Sequence, residues 1–118
     1  MTTPVPVVYI LGCAGWKHEG ENYYKIGRTI YPSYRMKQLK KQFNRNNLKF
    51  IMIFQTDVDG SECAVESYLH RRFRKQNLKD DDSTELYKVD INMIKKELKQ
   101  LQQKGNGKIL PRYQYDKW

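Results

Sequence analysis

The chain's first apolar run, Val5 to Leu11, is rich in β-branched residues and centred on Tyr9. Such a run reads as a strand, and a period of two puts Val7, Tyr9 and Leu11 on one face. Pro6 lacks an N–H, which places it near a sheet edge or at a strand's start. Gly12 to Glu21 holds three glycines and reads as a long, mobile connection. It contains Trp16 and His18; a lone loop histidine is read as solvated rather than as a ligand. Tyr23 to Arg28 is a second strand, and the simplest pairing with the first is antiparallel. Gly27 near its end permits a close backbone approach or a bulge. Ser33 to Phe43 has helical spacing: Pro32 suits the first turn, and Met36, Leu39 and Phe43 face a core. Arg35, four residues before Leu39, lies beside that apolar stripe, while Lys37, Lys40 and Lys41 point to water. Within Leu48 to Thr56, Phe50-Ile51-Met52-Ile53-Phe54 is apolar at five consecutive positions. That predicts a central strand buried on both faces.

Asp59 is a candidate N-cap for a second helix, with Glu62 three residues on as in a capping box. Val65, Leu69 and Phe73 run along its buried side, and Glu66 and His70 lie one turn apart on the adjacent stripe. Asp80 to Ser83 is a polar turn, Glu85 to Val89 a short extended piece. Asp90 caps a last helix, Ile91 to about Gln103, with Ile91, Ile94, Leu98 and Leu101 inward, closed by Gly105-Asn106-Gly107. The order β-β-α-β-α-(β)-α predicts an α/β (α+β) domain with a small three-stranded mixed or antiparallel sheet flanked by helices. Residues 1–104 form this domain and 105–118 a basic, aromatic C-terminal tail. The tail mixes Lys108, Arg112 and Lys117 with Tyr113, Tyr115 and Trp118, and Ile109, Leu110 and Pro111 can anchor it. Disordered tails seldom carry so many aromatics. The tail is expected to pack on the domain, on a second copy in a homodimer, or on substrate. Packing near the basic face is favoured, where its rings could stack on exposed bases.

Charge narrows the partner. The 118 residues carry a net charge of +9, with a pI near 9.6. That balance favours nucleic acid or an anionic membrane surface. No apolar run approaches the roughly 18 residues of a spanning helix, and the N-terminus lacks a secretory signal's basic start, so a membrane partner is not expected. Cys13 and Cys63 are too few and too far apart for a disulfide framework and have no metal-ligand spacing. They point to a reducing, intracellular compartment, cytoplasm or nucleus. From Lys25 to Lys49 there are eight Lys or Arg residues and no Asp or Glu. Arg28, Lys37, Lys40, Lys41 and Arg45 in this segment are the candidate nucleic-acid-binding residues.

Four residues need explaining together. Tyr9 sits mid-strand, Lys25 on the paired strand, Arg35 at the inner edge of a basic helix, and Glu66 beside the core stripe of the next. Singly, Tyr9 reads as a rim tyrosine, Lys25 as a solvated charge, Arg35 as a snorkelling stem, and Glu66 as a surface partner of His70. In order, Val8-Tyr9, Lys25-Ile26-Gly27, Arg35 and Glu66-x-x-x-His70 followed by Phe73 and Glu85-Leu86-Tyr87 resemble the GIY-YIG endonuclease superfamily. The likeness is to the Lys-Ile-Gly branch common in phages and large DNA viruses, and it runs from about Val7 to Val89. Val7-Val8-Tyr9 replaces Gly-Ile-Tyr, Lys25 stands where many members have the second tyrosine, and the connection between the two motifs is longer than usual.

The resemblance implies a hydrolase that cuts DNA, duplex or branched, with one divalent cation, Mg²⁺ or Mn²⁺. It implies Glu66 as metal ligand, completed by water and phosphate oxygens. It implies Tyr9 as activator of water, with Lys25 favouring its phenolate, and Arg35 as neutraliser of phosphate charge. His70 would carry a proton or, preferably, orient Glu66. Two alternatives stand beside it: the same fold used only to bind nucleic acid, and a small interaction domain docking through its aromatic tail. The second of these requires the largest apolar surface to lie at Lys108 to Trp118.

Overall fold

The computed structural model describes residues 3–57, 60–78 and 86–118, apart from the side chain of His18. Along the chain come β1 (Val7–Gly12), β2 (Lys17–His18), β3 (Glu21–Asn22), β4 (Tyr24–Thr29), α1 (Pro32–Gln42), β5 (Lys49–Thr56), α2 (Ser61–Arg72), β6 (Leu86–Tyr87), α3 (Ile91–Gln103) and β7 (Gly107–Ile109). Five strands form one antiparallel sheet in the order β6-β4-β1-β5-β7. The architecture is α+β, as the alternation predicts. The expected three strands are the centre of this sheet, and β6 and β7 extend it at either edge.

β1 lies between β4 and β5, so Pro6 marks its start and not an edge. All six residues of β1 are buried. Side-chain alternation then divides the core in two. Val7, Tyr9 and Leu11 join Met36 and Leu39 of α1, with Phe50 and Ile53 of β5. Val8 and Ile10 face the other way and join Ile26, Met52 and Phe54 against Val65 and Leu69 of α2 and Ile94 and Leu98 of α3. The run of five apolar residues in β5 feeds both cores, which is why it shows no alternation.

Three expectations change. The connection after β1 is not a bare mobile loop. It folds into the β2–β3 hairpin, and Trp16 is buried, stacked on Tyr23 at 5.2 Å and edge-on to Phe43 at 5.1 Å. Its glycines hid an aromatic anchor, since local composition does not show which rings a distant helix end will meet. At α2 the N-cap is Gly60, with φ 92°, and the Glu62 carboxylate accepts its N–H at 2.8 Å. Asp59, the turn at 80–83 and Glu85 lie outside the described residues. Finally, the segment after α3 joins the sheet. Ile109 pairs with Phe54, the Leu110 N–H bonds the Ile53 carbonyl at 2.9 Å, and Leu110 and Tyr115 sit in the α1-side core.

Helix α3 starts as predicted, with the Asp90 carboxylate accepting the Asn92 N–H at 2.8 Å. It is clasped to α2 by Glu97, which is 7% exposed. Tyr68 donates to Glu97 at 2.5 Å and Arg72 pairs with it at 3.4 Å. A buried carboxylate is tolerable only with such partners. The same hydrogen bond holds the Tyr68 proton, and raises its pKa above the ordinary tyrosine value.

Candidate active site at the edge of β4

Strand β4 organises the site. On its inner side it pairs with β1 along the whole of Val7 to Leu11. On its outer side β6 reaches only Tyr24 and Lys25. Among the described residues no strand covers the outer edge from Ile26 to Thr29. An exposed edge offers backbone groups and lets side chains from both faces of the sheet reach the same strip.

On the α1 face, Tyr9 stands directly opposite Gly27 in the register. Its ring crosses β4 at that point. A Cβ added at Gly27 would lie 2.5 Å from Tyr9 Cζ, so only glycine fits beneath the ring. The ring is buried, with Phe50 packed against it at 5.3 Å. Arg35, half-buried one helical turn after Tyr31, donates from Nε to the Tyr9 hydroxyl at 3.3 Å and from Nη1 to Gln38 at 3.3 Å. Lys25 precedes Gly27 by two residues and shares its face. Its ammonium lies 5.9 Å from the Tyr9 ring centroid, and the residue is only 3% exposed. Two cations therefore flank one phenol.

On the α2 face, strand parity aims Arg28 opposite to Gly27. Arg28 Nε pairs with Glu66 at 3.2 Å, and the Glu66 side chain is 14% exposed. One turn further along α2, His70 Nε2 lies 2.9 Å from the Ile26 carbonyl, and its ring stacks on Tyr87 at 5.4 Å. A carbonyl only accepts, so Nε2 carries the proton of this bond. His70 thus satisfies a carbonyl of the open β4 edge and fixes α2 against it. Glu66, at i−4, is held beside that edge.

The sequence-derived residues therefore fall into two groups on opposite faces of β4. Tyr9, Lys25 and Arg35 are brought together, as are Arg28, Glu66 and His70. Arg28, a candidate nucleic-acid-binding residue, here pairs with the Glu66 carboxylate, and its parity with Ile26 puts it on the α2 side. Lys37, Lys41 and Arg45 lie exposed along α1 and the turn after it, Arg45 against the Gly15 turn. Lys40 is half-buried and lines a cleft of about 540 Å³ with Lys49, Arg112 and Trp118. Acidic side chains are sparse in the cleft's described lining, and Asp116 pairs with Arg112 at 3.6 Å.

Glu66 is the protein's candidate metal ligand. Among the described residues no three His, Cys, Asp or Glu side chains cluster to hold an ion. A lone carboxylate at a solvent-facing edge fits a hard cation that keeps most of its water, such as Mg²⁺. Arg28, itself half exposed, would have to yield Glu66 to it.

Gly27 gives a direct check on the geometry. Gly27→Ala is expected to displace the Tyr9 ring, cost about 1–3 kcal/mol of stability, and lower catalysis as a hydroxyl deletion does. Thermal melting and a cleavage assay measure both. Wild-type values in each would show that Tyr9 does not lie over Gly27.

No helix among the described residues is long and apolar enough to cross a membrane. Among curated proteins nothing matches the chain, and among solved structures nothing does. Residues 7–102, which span the sheet's centre, both site groups and nearly all of α3, match a phage-associated domain related to GIY-YIG-like and HNH-like nucleases. The chain belongs to the T5orf172 domain family.

Proposed function

We propose that the protein is a metal-dependent endonuclease that hydrolyses DNA phosphodiester bonds at the outer edge of β4. The observation that carries this reading is the Tyr9 hydroxyl, held over Gly27 and hydrogen-bonded by Arg35 at 3.3 Å. A buried tyrosine needs no glycine beneath it and no arginine on it merely to pack. A phosphate at this edge would meet Arg35 and Tyr9 from one face of the sheet and Glu66 from the other.

In this reading Arg35 binds a non-bridging phosphate oxygen and neutralises charge gained in the transition state. Lys25 and Arg35 favour the phenolate of Tyr9, which accepts a proton from water. The water oxygen bonds phosphorus as the bond to the leaving oxygen breaks. Glu66 would hold one Mg²⁺ or Mn²⁺, which supplies polarisation of the phosphate and stabilisation of the leaving oxygen. His70 keeps α2 and Glu66 in place through the β4 backbone. The test is incubation of end-labelled duplex and branched DNA with Mg²⁺ or Mn²⁺ and with EDTA. Internal products only with metal are expected.

The Arg28–Glu66 pair favours one other reading, DNA binding without cleavage, because it occupies the carboxylate. Absence of products with either metal would select it. The reading as a docking module gains no such support: Leu110 and Tyr115 are buried, and of the tail only Tyr113 is a large exposed apolar residue.

Binding itself is expected to be electrostatic and sequence-tolerant, given the acid-free segment from Lys25 to Lys49. With about four phosphate contacts, log K should fall with log salt with a slope of roughly −3 to −4. Fluorescence anisotropy across a salt series measures it, and a slope near zero would contradict it.

A further inference from the structure

Three of the five exposed large apolar side chains among the described residues lie together. Ile30, Tyr31 and Tyr34 are consecutive or nearly so, at the start of α1, with Tyr31 39% and Tyr34 63% exposed. Tyr31 and Tyr34 border a cleft of about 780 Å³ lined also by Pro32, Lys37 and Trp118. Its described lining contains three aromatic rings, one cation and no Asp or Glu. Its volume lies within the about 300–1,000 Å³ of small-ligand pockets.

The place of this cleft matters. Tyr31 accepts the Arg35 N–H at 2.9 Å, so it is one helical turn from the arginine that holds Tyr9. Trp118 lines this cleft and also the neighbouring one with Lys40 and Arg112. Rings and cations therefore alternate along one side of α1, beginning beside the candidate active site.

We propose that the Tyr31–Tyr34–Trp118 cleft is a subsite for unpaired DNA nucleotides, and that the substrate class is DNA with a single-stranded segment next to the bond cut. The proposal rests on the nuclease reading for the second statement only. An aromatic ring recognises the face of a base, and base faces are hidden in a duplex and free in a single strand. Lys37 takes the phosphate beside the stacked base. A chain of net charge +9 and a cleft with no Asp or Glu in its described lining suit a polyanion, where an apolar protein partner would have no use for the cation.

The test is anisotropy of a labelled oligothymidylate and of a blunt duplex in EDTA, with wild type, Tyr34→Ala, Tyr34→Phe and the Tyr31→Ala/Tyr34→Ala pair. Both tyrosines are exposed, so thermal melting should be unchanged. Loss of one stacked base is worth about 5- to 150-fold in affinity. Tyr34→Ala is expected to weaken oligothymidylate binding by that factor and duplex binding by less than about twofold, with Tyr34→Phe close to wild type. Equal losses on both DNAs, or no loss on the oligothymidylate, would overturn the subsite. Selective loss with no cleavage of any DNA would leave the subsite standing and remove the nuclease reading. Cleavage of blunt duplex that is indifferent to Tyr34→Ala would leave the nuclease reading standing and overturn the substrate class.

Discussion

Tyr9→Phe and Arg35→Ala are each expected to slow DNA cleavage by about 10²–10⁴-fold, the usual worth of a positioned acid–base group. Tyr9→Phe removes one oxygen and keeps the ring, so its packing on Phe50 and over Gly27 survives. It loses the hydrogen bond from Arg35. Stability should therefore change little, and a fall in rate reports chemistry. Arg35 is half-buried and leaves no core vacancy when truncated. Its loss removes the donor to Tyr9 and, in the proposed site, the charge that would face the phosphate. Single-turnover rates with folding checked by circular dichroism separate these effects. If both variants cut at the wild-type rate, the tyrosine serves the core and the binding-only reading gains.

Glu66→Ala is expected to abolish metal-dependent cutting altogether, because no second carboxylate in a three-ligand cluster stands by among the described residues. DNA affinity should stay the same or rise. The change deletes a negative charge and releases Arg28, now 3.2 Å from the carboxylate, to face the phosphates. This opposite movement of affinity and activity is what distinguishes a metal ligand from a structural carboxylate. Glu97 is the contrast: it is bound to Tyr68 and Arg72 across α2 and α3, so its loss should act on melting.

Much of this fold is legible in the sequence, since the dominant signals are local. The two strand runs, the helical stripe of Met36 and Leu39, and the Asp90 cap each follow from spacing alone. β7 does not. Gly107–Ile109 is short, basic and glycine-flanked, and becomes a strand only because the outer edge of β5 is there to pair with. Trp16 is likewise buried by a partner, Phe43, that lies far along the chain. At the site, strand parity could have placed Arg28 with α2 rather than with Lys37, Lys40 and Lys41 of α1. The lateral reach of Tyr9 over Gly27 needed the β1–β4 register, which no single-strand pattern contains. The cleft of Tyr31, Tyr34 and Trp118 was out of reach for the same reason: it joins a helix start to the far end of the chain.

The most direct measurement is nicking of supercoiled plasmid by the purified chain with Mg²⁺ or Mn²⁺, with EDTA, and with Glu66→Ala at equal protein concentration. The account predicts open-circular product that requires metal and disappears in the variant, while both proteins still shift the DNA in a gel. Nicking that persists in Glu66→Ala, or no nicking by the wild type with either metal, would contradict it.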